Sequence, residues 1–433
     1  MAMSRRKASV MRMGRSLLAA FALILSGAGA LHAQLLGRVG DVVGGVTQLP
    51  GGLVGGIVAP VGGTLRSAAG LAQERLSRLQ GFARENRQAI ELDRAGEPAV
   101  RGRIIAIDPD EATLKAAEAV GFVRASEERI EGLDIRSVTL RPPEGWTLAR
   151  SLDRLRKIAP SGSFEADNIY FPSGAAAPAP SGGAVAGGSG GGTPIGLIDG
   201  GVARHPAITG PVEQRGFAAG APAPSPHGTA VASLIAGTAM VRGAAPGAAL
   251  LVADVYGRDP AGGGALAIAR AIGWMTARKV PIVTVSLVGP DNALLARAVA
   301  AAAAKGTRIV AAVGNDGPAA PPAFPASYAQ VIAVTGVDGR DRALIEAGRA
   351  LHLDYAAPGA DMAAADPNGR SIAVRGTSFA APLVAGRLAL LYRGDSALAL
   401  AALDREARDL GKRGPDRVYG RGLICGECRT KLR

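Results

Sequence analysis

Between residues 194 and 335 the chain returns repeatedly to short runs that are apolar at nearly every position, at 194–199, 249–256, 281–287, 308–313 and 330–335. A strand with one wet face alternates apolar and polar residues, whereas continuous apolarity means burial on both faces. Helical patterns at 228–238, 264–278 and 291–305 lie between these runs. Strands alternating with helices predict an α/β domain built on a mostly parallel sheet covered by helices, extending over about 194–424.

A second, smaller unit precedes it. Residues 100–172 read as strand (103–107), helix (110–120), two strands (122–140), helix (147–158) and strand (164–171), the ferredoxin-like α+β order. Leu65, Leu71, Leu76, Leu79, Phe82, Ile90 and Leu92 recur at near-helical spacing, predicting an amphipathic helix within 64–99 that packs on a neighbour or lies on an anionic membrane. Residues 34–63 are Gly/Val-rich and of low complexity, and 173–193 form an Ala/Pro/Gly linker.

The first fifteen residues carry Arg5, Arg6, Lys7, Arg12 and Arg15 with no acid, and an apolar run follows at 16–31. Ala28-Gly29-Ala30 and Ala33 offer small-residue cleavage points, so 1–33 reads as a signal peptide and the protein as exported, periplasmic or extracellular. An uncleaved anchor is the other reading of this segment. No second apolar stretch is long enough to span a bilayer. The net charge of +13 comes mostly from arginines scattered without interleaved aromatics, so no nucleic-acid partner is expected. Two cysteines, Cys425 and Cys428 in the basic tail 425–433, exclude a disulfide scaffold and a four-cysteine zinc site; on an exported chain they predict a local disulfide. No metal or other cofactor is expected.

Four short segments fall at predicted strand ends or helix starts. Asp199 ends an apolar strand, His227 opens HGTAVASLIAG, Asn315 lies in AAVGNDG, and Ser378 lies in GTSFAAPLVAG before an apolar helix. Singly, each fits a turn or cap. All four in one domain, each at a predicted strand end or helix start, are not independent accidents.

These segments, with IDGGVARHP, VSLVGP, FPASYAQVIAVTGVD and YAAPG, resemble the subtilisin-like serine proteases, and the chain order Asp, His, Ser is that of subtilisin. The resemblance implies a subtilisin-like endopeptidase hydrolysing peptides and proteins. Asp199, His227 and Ser378 would form its catalytic triad, with Asn315 in the oxyanion hole and Thr377 either assisting there or capping a helix. Ser286, Leu287, Val288 and Gly289 would form the substrate-binding strand. It also implies that 100–172 is a propeptide-like domain, the chain's own inhibitor, whose last strand near Tyr170 pairs with 286–289 and leaves the following residues across Ser378; an accessory domain is the other reading. Processing would then cut the chain between Tyr170 and Thr193. Departures from the family pattern are Gly200 after the aspartate, Ala230 where a second histidine is usual, Val313 where alanine is common and Val288 in place of glycine. The short path through GTAMVRG also lacks a calcium-binding loop. The alternative function is a catalytically silent subtilase-fold scaffold of the cell envelope.

Overall fold

The structure, a computed structural model, describes residues 68–178, 193–238 and 240–431. The expected signal peptide, the Gly/Val-rich stretch and most of the expected linker lie outside the described residues. No described helix is long and apolar enough to cross a membrane.

Helix α1 (Ala68–Glu85) buries Leu71, Leu79 and Ala83. It stops well short of Leu92, because Asn86 turns the chain, its side-chain amide donating to the Phe82 carbonyl at 2.9 Å. Ile90 and Leu92, two residues apart, belong instead to β1 (Ile90–Leu92), antiparallel to β2 (Pro98–Ile107). A two-residue apolar spacing suits a strand, and here strand pairing overrides the helical period. There follow α2 (Glu111–Glu118), β3 (Val123–Arg129), β4 (Arg136–Arg141), α3 (Leu148–Ile158) and β5 (Ser163–Asn168). The carboxylate of Asp110 caps α2 by accepting the Thr113 N–H at 2.7 Å, and Thr147 caps α3. Strand β5 lies beside β2, followed by β4 and β3.

The stretch expected to be linker, 173–193, contains a strand, β7 (Ala175–Pro178); it and β6 (Phe171–Pro172), at the end of the small unit, each pair with a strand of the larger unit. That unit runs β8 (Ile195–Asp199), β9 (Val212–Gly216), α4 (Pro226–Ala236), β10 (Leu250–Asp254), α5 (Ala265–Ala277), β11 (Ile282–Val285), β12 (Leu287–Val288), α6 (Ala293–Ala304), β13 (Arg308–Ala312), β14 (Val331–Val337) and β15 (Tyr355–Pro358). It continues with β16 (Met362–Ala365), β17 (Ser371–Arg375), a 3₁₀ turn (Thr377–Phe379), α7 (Ala381–Leu391) and α8 (Ser396–Glu406). Seven strands form one sheet in the order β15-β14-β13-β11-β8-β10-β9, every neighbouring pair parallel. The continuous apolar runs thus have their reason. Ile195 and Leu197 of β8 share a core with α4 and α7, while Ile198 faces a second core with α5 and α6.

The second core includes the small unit. In β2, Ile104 and Ala106 pack on its own helices with Leu114, Leu148 and Leu155. Ile105 and Ile107 point the other way and join Ile130, Leu133, Ile135 and the residues of α5 and α6. Strand β5 adds polar ties: Asp167 accepts the Leu266 N–H at 2.9 Å, capping a helix whose own N-cap, Gly264, has no side chain to do it. Cys425 and Cys428 form a disulfide.

Candidate active site

In an open parallel sheet, reacting groups gather beyond the carboxyl ends of the strands. Asp199 is the last residue of the central strand β8 and is fully buried. His227 sits in the first turn of α4, whose start is fixed by Ser225, its hydroxyl accepting the Gly228 N–H at 2.9 Å. Close approach of the two segments requires glycine: a Cβ on Gly228 would lie 2.2 Å from the Gly200 carbonyl oxygen. His227 Nδ1 lies 2.9 and 3.0 Å from the Asp199 carboxylate oxygens, and Nε2 lies 3.0 Å from Ser378 Oγ. The carboxylate also accepts the Gly200 N–H at 2.7 Å, so its buried charge is met on two sides.

Ser378 lies in the 3₁₀ turn that feeds α7. The hydroxyl of Ser286 donates to the Ser378 carbonyl at 2.9 Å and ties that turn to the end of β11. Asn315 follows β13. Its Oδ1 accepts the Thr377 N–H at 3.0 Å, which settles the direction of the amide and turns Nδ2 towards the cleft. The hydroxyl of Thr377 is engaged by Gly314, donating to the carbonyl and accepting the N–H, both at 3.1 Å, so it holds the Asn315 loop in place.

The cleft is filled by the chain itself. Tyr170 N–H donates to the Gly263 carbonyl at 2.9 Å and Ser173 N–H to the Ser286 carbonyl at 3.2 Å, with Pro172 opposite Leu287 and Phe171 opposite Val288 between them. Tyr170 is fully buried; its hydroxyl donates to the Pro290 carbonyl at 2.6 Å, while its own carbonyl accepts the Tyr256 hydroxyl at 2.7 Å. The ring lies against Gly289, where a Cβ would fall 2.6 Å from Tyr170 Cδ1. Burial drives the Tyr170 phenol pKa well above its ordinary value, so it stays a hydrogen-bond donor. All four residues read from the sequence as the substrate strand, Ser286 to Gly289, therefore lie along this segment. The resemblance placed the residues after Tyr170 across Ser378 without naming which; in the structure these are Ser173 and Gly174.

A sequence profile of the Subtilase family matches residues 190–422, more than half of the chain. The chain belongs to the subtilase family. As a subtilase it is a serine-type endopeptidase, and its large sheet is the subtilisin-like one. It is 31% identical to subtilisin BL of Lederbergia lenta over 194 residues, 44% of this chain and 71% of that protein. It is 32% identical to the minor extracellular protease Epr of Bacillus subtilis over 241 residues, 53% of this chain but 37% of that longer protein. Fervidolysin from Fervidobacterium pennivorans, a keratinolytic enzyme related to subtilisin, shares the fold with a TM-score of 0.63 and 19% identity; the match covers 78% of this chain and 62% of fervidolysin.

Proposed function

We propose that this subtilase is exported and made as a precursor that processes itself, using Ser378 as nucleophile. The carrying observation is the hydrogen-bonded run from Asp199 through His227 to Ser378, which ends beside a peptide carbonyl already flanked by two donors.

Ser378 Oγ attacks the substrate carbonyl carbon while His227 Nε2 takes its proton. Asp199 holds the Nδ1–H tautomer and stabilises the imidazolium that forms. Negative charge developing on the carbonyl oxygen meets the Ser378 N–H and Asn315 Nδ2, placed beforehand so that little reorganisation is needed. His227 then returns the proton to the leaving amine, and water repeats the sequence in reverse to release the acyl group. Substrates lie extended against Ser286, Leu287, Val288 and Gly289, where main-chain pairing accommodates many sequences. The unit ending at Tyr170 acts as the chain's own propeptide and inhibitor. Support for this role comes from its two-sided attachment: its β5 caps α5, and its C-terminal segment occupies the cleft. Export rests on the basic and apolar character of residues 1–33, and the name of the extracellular relative Epr supports it.

The test is active-site labelling. A fluorophosphonate should attach at Ser378 of the wild-type protein and not to the Ser378→Ala variant, which should also lose peptide hydrolysis. A labelled but inactive protein would instead be a scaffold that kept a reactive serine.

A further inference from the structure

We propose that the bond this chain cuts in itself is Ser173–Gly174, and that Val288 restricts the residue before the cut to small side chains. This rests on the reading of Ser378 as nucleophile.

The bond is identified by what surrounds one carbonyl group. Ser173 O accepts the Ser378 N–H at 3.1 Å and also the Asn315 Nδ2–H, so both oxyanion donors converge on it. On the far side of the carbonyl, Gly174 is in contact with the nucleophile: a Cβ there would lie 2.2 Å from Ser378 Oγ and 2.5 Å from the Phe379 ring. No neighbouring peptide has this setting. The Tyr170 carbonyl is engaged by the Tyr256 hydroxyl, and the Ser173 N–H is engaged by the Ser286 carbonyl. The chain is pinned on both sides of the bond, by β6 against β12 upstream and by β7 against β17 downstream, with Ala175 opposite Arg375 and Pro178 opposite Ile372. Held extended from both ends, the peptide cannot slide by a residue without breaking both ladders.

Ser173 is flanked by the backbone of Ser286 on one side and by the Asn315 side chain, from the loop 314–315, on the other. Ser173 Oγ lies 3.3 Å from the Ser286 carbonyl, and the residue is only 4% exposed. Where the segment 286–288 and that loop approach each other, the Val288 methyls lie 3.4 and 3.7 Å from the Cβ position of Gly314, and the Ala323 methyl lies 3.6 Å from it. One methyl on Gly314 would already touch both residues, so the space between Gly314 and Val288 has room for about one methyl group and not for a large side chain. Val288 thus closes the gap into which a bulky residue at the position of Ser173 would have to pass, and Ser, Ala or Gly should be preferred there. The fully buried Tyr170, three residues earlier, supplies the large apolar anchor that a small residue at the cut cannot.

The step balances without any added reagent. The Ser173 C–N bond to Gly174 breaks as the bond to Ser378 Oγ forms, and His227 carries the hydroxyl proton to the departing Gly174 amine. One water then yields a Ser173 carboxylate and free Ser378.

The test uses the full chain, made in a protease-deficient host and followed by intact mass and N-terminal sequencing. Wild type should give one fragment ending at Ser173 and one beginning at Gly174, while Ser378→Ala stays whole. Gly174→Val and Ser173→Phe should each slow the cut about tenfold or more. Adding Val288→Gly to Ser173→Phe should restore it, and should let the mature enzyme accept peptides with Phe before the cut. A wild-type cut at any other bond overturns the assignment. A Ser173→Phe chain cut at the wild-type rate, or left uncut when Val288→Gly is added, overturns the role of Val288. These failures are distinct from failure of the nucleophile reading, which would appear as a wild-type protein that takes no fluorophosphonate.

Discussion

The carbonyl oxygen of Ser173 lies within hydrogen-bond reach of the Ser378 backbone N–H, 3.1 Å away, so a residue far upstream occupies the position where a substrate's reacting carbonyl would lie. Asn315 completes the pair of donors from the opposite side of the cleft. Because Asn315 Oδ1 is anchored on the Thr377 N–H at 3.0 Å, the amide is already aimed.

The first prediction concerns that aim. In subtilisin, loss of the corresponding asparagine side chain costs about 10²–10³ in kcat, and the same magnitude is carried over to Asn315→Ala. Steady-state hydrolysis should show the loss in kcat rather than in KM, because the donor matters most once negative charge develops. Circular dichroism should be unchanged.

Tyr170 gives the second. In the uncut Ser378→Ala background, Tyr170→Phe removes one donor and leaves the Pro290 carbonyl without its partner, at a cost of about 1–2 kcal/mol. Tyr170→Ala also empties the site against Gly289 and should cost about 3 kcal/mol or more. Urea unfolding of the two variants checks the order; equal losses would mean that the ring contributes nothing.

Arg75 and Arg78 on α1 both reach Asp316, at 3.2 and 2.6 Å, and Arg75 also meets Glu97 at 2.7 Å. Replacing both arginines with alanine in Ser378→Ala should loosen the helix from the Asn315 loop by about 1 kcal/mol. Hydrogen exchange over residues 68–85 should then be about fivefold faster at low salt, and the difference should shrink as salt is added.

His205 carries a pH prediction. Its Nδ1 accepts the Ala207 N–H at 3.0 Å and its Nε2 donates to the Arg370 carbonyl at 3.2 Å, an arrangement that only the neutral ring can make. Burial lowers its pKa below the ordinary value of about 6.5. The unfolded chain therefore takes up this proton first as pH falls. The stabilisation is full above about pH 6.5 and is lost between there and the lower folded-state pKa. The melting temperature of Ser378→Ala should fall from pH 7.5 to 5.5, and His205→Gln should flatten that slope.

The large sheet and the meeting of Asp199, His227, Asn315 and Ser378 were legible because each residue sits in a short segment whose neighbours must be small or apolar for strands and helix starts to approach. Gly200 and Gly228 are examples. The helix end was not. Apolar spacing alone carries α1 on to Ile90 and Leu92, and only the partner strand β2 shows that these two residues are extended. The pairing of the segment after Tyr170 with 286–289 was legible through the resemblance, but the strand from Ala175 to Pro178 was not. Its order comes from β17, whose free backbone groups accept almost any extended chain. Thr377 was ambiguous for a similar reason, since the Gly314 loop that engages its hydroxyl is distant in sequence.

Apart from its edge strand β3, which is largely exposed, the sheet of the small unit is buried on both faces. One side is covered by α2 and α3, and the other, with Ile105, Ile107, Ile130, Leu133 and Ile135, is covered by the enzyme. Once parted from the catalytic domain, the fragment would carry an uncovered apolar surface, and small units seldom stay folded in that state. On the proposed reading of this unit as the chain's own inhibitor, its lifetime away from the enzyme should be short, and once unfolded it should become a substrate of the protease it had blocked. Each molecule removed in this way makes rebinding rarer, so the onset of activity in a population of these chains should accelerate with time rather than follow a single exponential.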